Sequence, residues 1–204
     1  MQLSTFLKIL KFVNPKFYNY YNYTIDQKYN LRAELSKVKN KNKELTSILL
    51  FIESITNNEK REFLGYEFNE KINTATITYI EHDFGNEYNI IVEAFFGTIH
   101  KVVYILELAL YKDNMSIYII DNHALIYENK RNASIGLKAL TRFAVNRDYN
   151  YIFGEISFTD WGHVDKLKHF YEKQNFNVVL DHGKREGTIR WKNNIQSDVK
   201  TQQY

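Results

Sequence analysis

The stretch from Ile126 to Leu140 has the composition of an anion-binding turn. An apolar, strand-like end is followed by small and polar residues and then by the helical pattern of Ile135 to Leu140. The first N–H groups of a helix have no acceptor within the helix, and the helix dipole adds to their attraction for an anion. Small side chains let the backbone come close to a ligand. This arrangement predicts a phosphate site built from backbone N–H groups.

A second segment, near the C-terminal end, supplies a matching pattern. It reads Leu167-Lys168-His169-Phe170-Tyr171-Glu172-Lys173-Gln174-Asn175-Phe176. It resembles the apolar-Tyr-Glu-Lys-x-Gly-Phe segment of the GNAT superfamily of N-acetyltransferases. The first stretch resembles that family's acyl-CoA loop, Gln/Arg-x-x-Gly-x-Gly/Ala, with Arg131, Ser134 and Gly136 on the fixed positions. Both segments follow the family's order and separation, and the resemblance extends over about residues 62–192.

The resemblance implies an activity, an acyl donor and a set of site residues. The activity is transfer of an acetyl group from acetyl-CoA directly to an amine acceptor. Tyr171 falls on the tyrosine that protonates the departing CoA thiolate in this family. The implied cofactor-binding residues are Arg131, Asn132, Ala133, Ser134, Ile135 and Gly136.

Three positions depart from the family pattern. Ser134 replaces the first glycine of the loop, and Asn175 replaces the glycine after the tyrosine helix. Asn tolerates the left-handed conformation that such a helix end needs. Val164 stands where the family frequently has an asparagine that contacts CoA. These departures keep open the alternative of a catalytically weak interaction module.

Transfer to an amine also requires a group that accepts a proton, because an ammonium has no lone pair. Glu155 is the first choice, since it lies in an apolar stretch where a charge needs a reason. Asp121, His123 and Glu107 remain open as alternatives. Backbone donors on the strand before the phosphate loop are expected to hold the thioester carbonyl. No His-Glu-x-x-His spacing occurs, and the chain has no cysteine, so neither a metal nor a cysteine nucleophile is predicted.

The change of hydrophobic period along the chain predicts the fold class. Alternating patterns predict strands at 72–80, 88–96, 102–111 and 115–126, and helical patterns then alternate with strands from residue 135 onward. We therefore expect an α+β fold with a mixed, mostly antiparallel central sheet, flanking helices and a long N-terminal helix. The domains predicted are a basic helical extension at 1–61, a catalytic domain at 62–192 and a polar tail at 193–204.

The N-terminal extension carries a heptad pattern. Leu31, Leu35, Val38, Asn42, Leu45, Leu49, Ile52 and Thr56 recur at steps of four and three. This seam predicts a homodimeric coiled coil through residues 27–56, in which Asn42 at an a position fixes the register. The alternative is a long helix packed on its own domain.

Charge and location complete the expectations. Residues 1–61 hold 11 Lys/Arg against 5 Asp/Glu. A basic front beside the aromatic run 17–23 leaves nucleic-acid binding as a third class of function, although not the favoured one. No apolar run approaches the length that spans a membrane, and the absence of cysteine fits a reducing cytoplasm. The mildly acidic remainder suits a cationic acceptor.

Overall fold

The computed structural model describes residue 7 and residues 11–126 and 131–194 of the 204-residue chain. The chain divides into two compact units, Met1–Ser47 and Ile48–Tyr204. The elements are α1 (Pro15–Thr56), β1 (Arg61–Asn69), β2 (Thr74–His82), β3 (Glu87–Phe96), β4 (Ile99–Tyr111), β5 (Ser116–Ala124), α2 (Asn132–Asn146), β6 (Tyr151–Ile156), a 3-10 turn (Phe158–His163), α3 (Val164–Glu172), β7 (Asn177–Asp181) and β8 (Glu186–Lys192).

Helix α1 begins at a proline. Pro15 occupies the first helical position, where a missing N–H costs no hydrogen bond. The Asn14 side chain caps this end, because its Oδ1 accepts the N–H of Phe17 at 3.1 Å. The aromatic run 17–23 therefore lies within the helix. In the first unit, Leu31, Leu35 and Val38 each expose more than half of their side-chain surface.

The sheet confirms the predicted fold class. Its eight strands lie in the order β1-β2-β3-β4-β5-β6-β8-β7. All neighbours pair antiparallel except β5 and β6, which are parallel. A parallel pair needs a crossover connection, which α2 provides. The sheet is therefore mixed, mostly antiparallel and flanked by helices.

Two apolar clusters cover different parts of the sheet. On what we call the first face, Val92, Leu106 and Ile152 pack with residues of α2 and α3 in the main core. On the opposite, second face, Ile48 and Ile55 from the last turns of α1 pack against β2 and β3. None of the residues of this second cluster comes from β5, β6 or β8.

A buried acid lies on the second face beneath α1. Glu93 is only 5% exposed. The Tyr79 hydroxyl donates to its Oε1 at 2.8 Å, and Nδ1 of His100 hydrogen-bonds Oε2. Phe51 of α1 packs on both rings, with centroids 6.1 Å from Tyr79 and 4.5 Å from His100. Both carboxyl oxygens of Glu93 thus have hydrogen-bond partners on the sheet, at the place where α1 packs.

The strands predicted from alternation are confirmed, with shifted ends, but β1 was not predicted. Its sequence, Arg61–Asn69, mixes charged and aromatic residues and contains an irregularity between Phe63 and Gly65. The interrupted alternation hides the strand, since an inserted residue reverses the faces that the side chains occupy. Within the described ranges, none of the helices combines the length and apolar character needed to cross a bilayer.

Candidate active site

The parallel strands β5 and β6 pair over only part of their length. Their register runs from Ser116 opposite Tyr151 to Ile119 opposite Gly154. Beyond that point β5 continues to Ala124 and β6 to Ile156 without pairing to each other. The sheet therefore opens between them, and strand edges with backbone donors and acceptors face the opening.

A β-bulge at Ile120 decides what faces the opening. In the pairing of β4 with β5, Leu108 lies opposite Ile119 but Glu107 lies opposite Asp121, so Ile120 is an extra residue. Asn122 then lies opposite the core residue Leu106 and belongs to the first face. Bulges commonly re-aim side chains beside active sites.

On the first face, α2 presents its N-terminus. Arg131 precedes the helix in a left-handed conformation (φ 73°), its side chain makes no capping hydrogen bond, and the first turn contains no acidic residue. The N–H of Ile135 bonds the carbonyl of Arg131 at 3.0 Å. The N–H groups of the preceding residues lie in the turn where a helix has no internal acceptors. This end of the helix has the properties of an anion site.

The six predicted cofactor-binding residues occupy different environments. Asn132, Ile135 and Gly136 are buried, Ala133 and Ser134 are half-buried, and Arg131 is exposed. A Cβ on Gly136 would come within 2.4 Å of the Tyr104 ring, so this glycine is required for packing of α2 on the sheet. Within the helix itself, the side chains of Ala133 and Ser134 are thus the ones in this segment that are not fully buried.

Two of these side chains, those of Asn132 and Arg131, interact with other residues of the chain. Nδ2 of Asn132 donates to the carbonyl of Ile126 at 3.3 Å, and its Oδ1 accepts from Nδ2 of Asn69 at 2.7 Å. Nη2 of Arg131 lies 3.4 Å from Oε1 of Glu67. Asn132 therefore links the start of α2 to β1, and Glu67 partly neutralises the positive charge of Arg131. Lys130 and the residues from Tyr127, which belong to the predicted loop, lie outside the described residues.

Tyr171 lies on the same face and reaches the opening. Its ring is 4% exposed, and its hydroxyl oxygen accepts a hydrogen bond from Nδ2 of Asn122 at 3.0 Å. Burial raises the pKa of Tyr171 to about 12, against which the Asn122 donor acts to lower it. The hydroxyl thus holds its proton at neutral pH, and its hydrogen is free to be donated, as a general acid requires.

The residues just after α3, next to Tyr171, have the conformation that the sequence predicts for the end of this helix. Asn175 adopts the left-handed conformation (φ 63°) expected of the residue that replaces a glycine. Phe176 is buried, and its ring lies 5.7 Å from that of Tyr171. Val164 is also buried in the main core, so its side chain is a packing residue.

The second face of the opening carries the candidate bases. Nε2 of His123 lies 3.3 Å from Oε1 of Glu107 and 3.4 Å from Oδ2 of Asp121. The structure thus brings together the three residues that the sequence left as alternatives. Asp121 also accepts, through Oδ1, the N–H of Asn122 at 2.7 Å, which occupies one backbone donor of the opening.

Glu155 lies on β6, across the opening from that cluster. It is the first β6 residue beyond the last pair with β5. Its side chain is exposed, unlike those of Ile152 and Ile156, which face the core. It lies close enough to Tyr118 to contribute, after burial, to raising the pKa of that tyrosine. Among the described side chains, no group of His, Asp and Glu is arranged to hold a metal ion.

Sequence reasoning missed Asn122. An isolated asparagine on a strand has no motif, and its role depends on the bulge at Ile120 that turns it toward Tyr171. The available signal was the break in apolar alternation after Ile119. Aspartate, asparagine and histidine follow in succession there, in a strand whose earlier residues alternate.

Comparison with known proteins gives similarities of limited extent. No family model matches the chain. The uncharacterized protein YocC of Bacillus subtilis is 43% identical over 58 residues, which is 28% of this chain and 35% of YocC. The chain thus spans about a third of the length of this curated relative.

Several solved structures resemble part of the chain. A domain from Methanocaldococcus jannaschii aligns with a TM-score of 0.44 and 12% identity, over 54% of this chain and 70% of that one. The N-acetyltransferase PseH of Campylobacter jejuni aligns with a TM-score of 0.41 and 12% identity, over 54% and 71%. PaiA of Thermoplasma acidophilum, in complex with coenzyme A, aligns with a TM-score of 0.40 and 13% identity, over 52% and 61%. PseH and PaiA are N-acetyltransferases.

Proposed function

We propose that the chain is a cytoplasmic N-acetyltransferase that moves an acetyl group from acetyl-CoA directly to an amine, with residues 62–192 as its catalytic domain. The observation that carries the proposal is the opening between β5 and β6. One face of it has the N-terminus of α2 and a protonated tyrosine, and the other has a histidine near two acids. Donor and acceptor would meet in the opening from opposite faces.

The phosphate end of acetyl-CoA would bind at the start of α2. The N–H groups of Asn132, Ala133 and Ser134 supply the donors, and the helix dipole supplies a favourable field. Arg131 adds a positive charge that is partly neutralised by Glu67 at 3.4 Å. Backbone groups therefore contribute more to this site than side chains do.

The reacting end would lie beside Tyr171. A base on the second face removes a proton from the acceptor ammonium, and the freed lone pair forms the new C–N bond at the thioester carbonyl carbon. As the C–S bond breaks, the Tyr171 hydroxyl gives its proton to the sulfur. Asn122 supports this step because its N–H donation stabilises the phenolate that remains. The nitrogen of the new amide gives up its second proton to solvent, and solvent returns a proton to Tyr171.

Two candidates for the base face the acceptor side. Glu155 is our first assignment, and His123 between Glu107 and Asp121 is the second. General bases contribute roughly 10²–10⁴-fold to rate. We therefore expect Glu155→Gln to lower kcat by about that factor and His123→Asn to have a smaller effect. A larger loss of kcat in His123→Asn than in Glu155→Gln would assign the role to His123.

The test of the proposal is calorimetric titration of acetyl-CoA into the protein and into Ser134→Glu. An acidic residue in the first helical turn is compatible with the helix dipole, so the variant should fold, but its charge repels the phosphates. We expect micromolar binding that weakens at least tenfold in the variant, or about 1.4 kcal/mol. The matched control is Lys138→Glu, an exposed position one turn further along α2.

Two results would contradict the proposal. One is the absence of binding to the unmodified protein at millimolar acetyl-CoA, which would favour the interaction-module alternative. The other is equal weakening by Lys138→Glu and Ser134→Glu, which would indicate general electrostatics rather than a site at the helix N-terminus.

We also propose that a homodimer forms through the heptad seam of α1. Leu35, Val38 and Leu49 are exposed along one line of the helix, and a helix with an uncovered apolar stripe gains stability by pairing. Ile52, at the end of the predicted range 27–56, is partly packed against the second-face cluster. The seam available to a partner therefore ends near Leu49.

The dimer is tested by sedimentation equilibrium on the full chain. Leu35→Lys should shift the population to monomer, whereas Lys37→Glu, which is off the seam, should not. A monomeric unmodified protein at tens of micromolar would contradict the proposal.

A further inference from the structure

A groove lies on the second face of the sheet, away from the cluster beneath α1. It has a volume of about 520 Å³ and lies over β5, β6 and β8. Its wall includes Tyr151, Phe153, Glu155, Thr188 and Arg190. The volume falls in the range of small-molecule sites, and the lining combines apolar rings with a few polar groups, as such sites do.

The floor of the groove includes the aromatic residues Tyr151 and Phe153. The ring of Phe153 packs on that of Tyr118, which is not part of the lining, with 5.2 Å between the centroids. The guanidinium of Arg190 stands over the Tyr151 ring at 4.4 Å. Rings held in this way present apolar surface to a ligand at low entropic cost. An apolar or aromatic ligand body is the chemistry that fits this floor.

The two charges of the groove have opposite signs and lie diagonally. Arg190 is opposite Phe153 in the pairing of β6 with β8, and Glu155 is two residues further along β6, opposite Thr188. Within the described part of the chain, neither charged group takes part in a salt bridge with another residue. Diagonal neighbours of this kind are about 7–8 Å apart, and their Cβ atoms are somewhat closer. The groove thus offers one cationic and one anionic contact.

We propose that this groove binds the acetyl acceptor and that the acceptor is a small zwitterion with an apolar body, such as a dipeptide. The inference rests on the proposed acetyltransferase activity. Glu155 receives the ammonium and Arg190 receives the carboxylate. Gly154 is the last β6 residue paired with β5, so an amine at Glu155 lies at the mouth of the opening. The carboxylate lies further from it, over the closed part of the sheet.

The experiment compares glycyl-phenylalanine with its C-terminal amide as acceptors, by following thiol release from acetyl-CoA. The two compounds differ only in the carboxylate. We expect kcat/KM to be at least tenfold higher for the free acid, and Arg190→Gln to remove this preference. Arg185→Gln, which replaces an exposed arginine outside the groove, should keep it. Glu155→Gln should lower the rate with both dipeptides.

The outcomes separate the inference from the proposal that it rests on. If the protein binds acetyl-CoA but acetylates both dipeptides equally or neither of them, the inference is wrong and the acetyltransferase proposal stands. A preference that survives Arg190→Gln would also overturn it. If acetyl-CoA itself does not bind, the failure belongs to the proposed function. Calorimetric binding of glycyl-phenylalanine in the presence of coenzyme A gives a second readout, and it should weaken at least tenfold in Arg190→Gln.

Discussion

The buried hydroxyl of Tyr171 gives the sharpest prediction. Its pKa is raised from 10.0 to about 12 by burial. Because the pKa is higher in the folded state than in the unfolded chain, the contribution of this hydroxyl to the free energy of unfolding is fully present below pH 10. It is lost as the pH rises from 10 through 12, since the unfolded chain ionises first. Two pH units at about 1.36 kcal/mol each correspond to roughly 2–3 kcal/mol of unfolding free energy.

The measurement is urea denaturation at intervals between pH 8 and pH 12, on the unmodified protein and on Tyr171→Phe. The chain has 16 tyrosines, so absorbance cannot isolate one hydroxyl, but paired variants can. The difference in stability between the two proteins should stay constant below pH 10 and then change by about 2–3 kcal/mol up to pH 12. Tyr66→Phe, at a half-exposed position, is the control and should follow the unmodified protein.

The same measurement on a variant of Asn122 gives a second test. Because its N–H donates to the phenolic oxygen and acts to lower the pKa, Asn122→Leu should move the pH window upward. The pH dependence of kcat should move in the same direction, which a purely structural role would not produce. Parallel stability curves for the unmodified protein and Tyr171→Phe across pH 8–12 would refute the reasoning.

Three further predictions concern the start of α2. Gly136→Ala should destabilise the fold by about 1–3 kcal/mol in denaturant, because its Cβ would meet the buried Tyr104 ring at 2.4 Å; equal or greater stability would contradict this. Asn132→Ala should cost about 1–3 kcal/mol by leaving a buried amide without its acceptor, and Asn132→Asp should recover part of the loss. Glu67→Gln should strengthen acetyl-CoA binding up to about fivefold in calorimetry by releasing Arg131, and the gain should shrink in high salt; no change at low salt would place Arg131 outside the phosphate site.

The fold was largely predictable because its strands alternate and its helices are periodic. The stretch 88–96 predicted β3, which spans Glu87–Phe96, and the pattern from residue 135 predicted α2. Strand β1 was missed because its alternation is interrupted. The sequence pattern also did not indicate where α1 begins, because the Asn14 cap before Pro15 is a local contact that composition does not reveal.

The candidate site was predictable where a local sequence pattern marks its residues, and it was not predictable where tertiary contacts bring the residues together. The loop before α2 and the tyrosine of α3 carry local patterns, and such patterns survive in a single sequence. The meeting of His123 with Glu107 depends on strand pairing across 16 residues, which no local pattern encodes. Gly136 shows the opposite case, because the residue type was recognised but its tight contact with Tyr104 comes from tertiary packing.

The bulge at Ile120 decides which face of the sheet each later residue of β5 occupies. Side chains alternate between faces, so if β5 paired with β4 without a bulge, Ile120 would lie opposite Glu107, and Asp121 and His123 would continue the series of Ile117 and Ile119 into the main core. Asn122 would then point away from Tyr171. Deleting Ile120 would keep Asp121 opposite Glu107, whereas pairing it regularly would exchange the two sides of the site at once, burying the acid and the histidine and exposing the amide. Every residue of the site would keep its type, yet the arrangement that links the two faces would be lost.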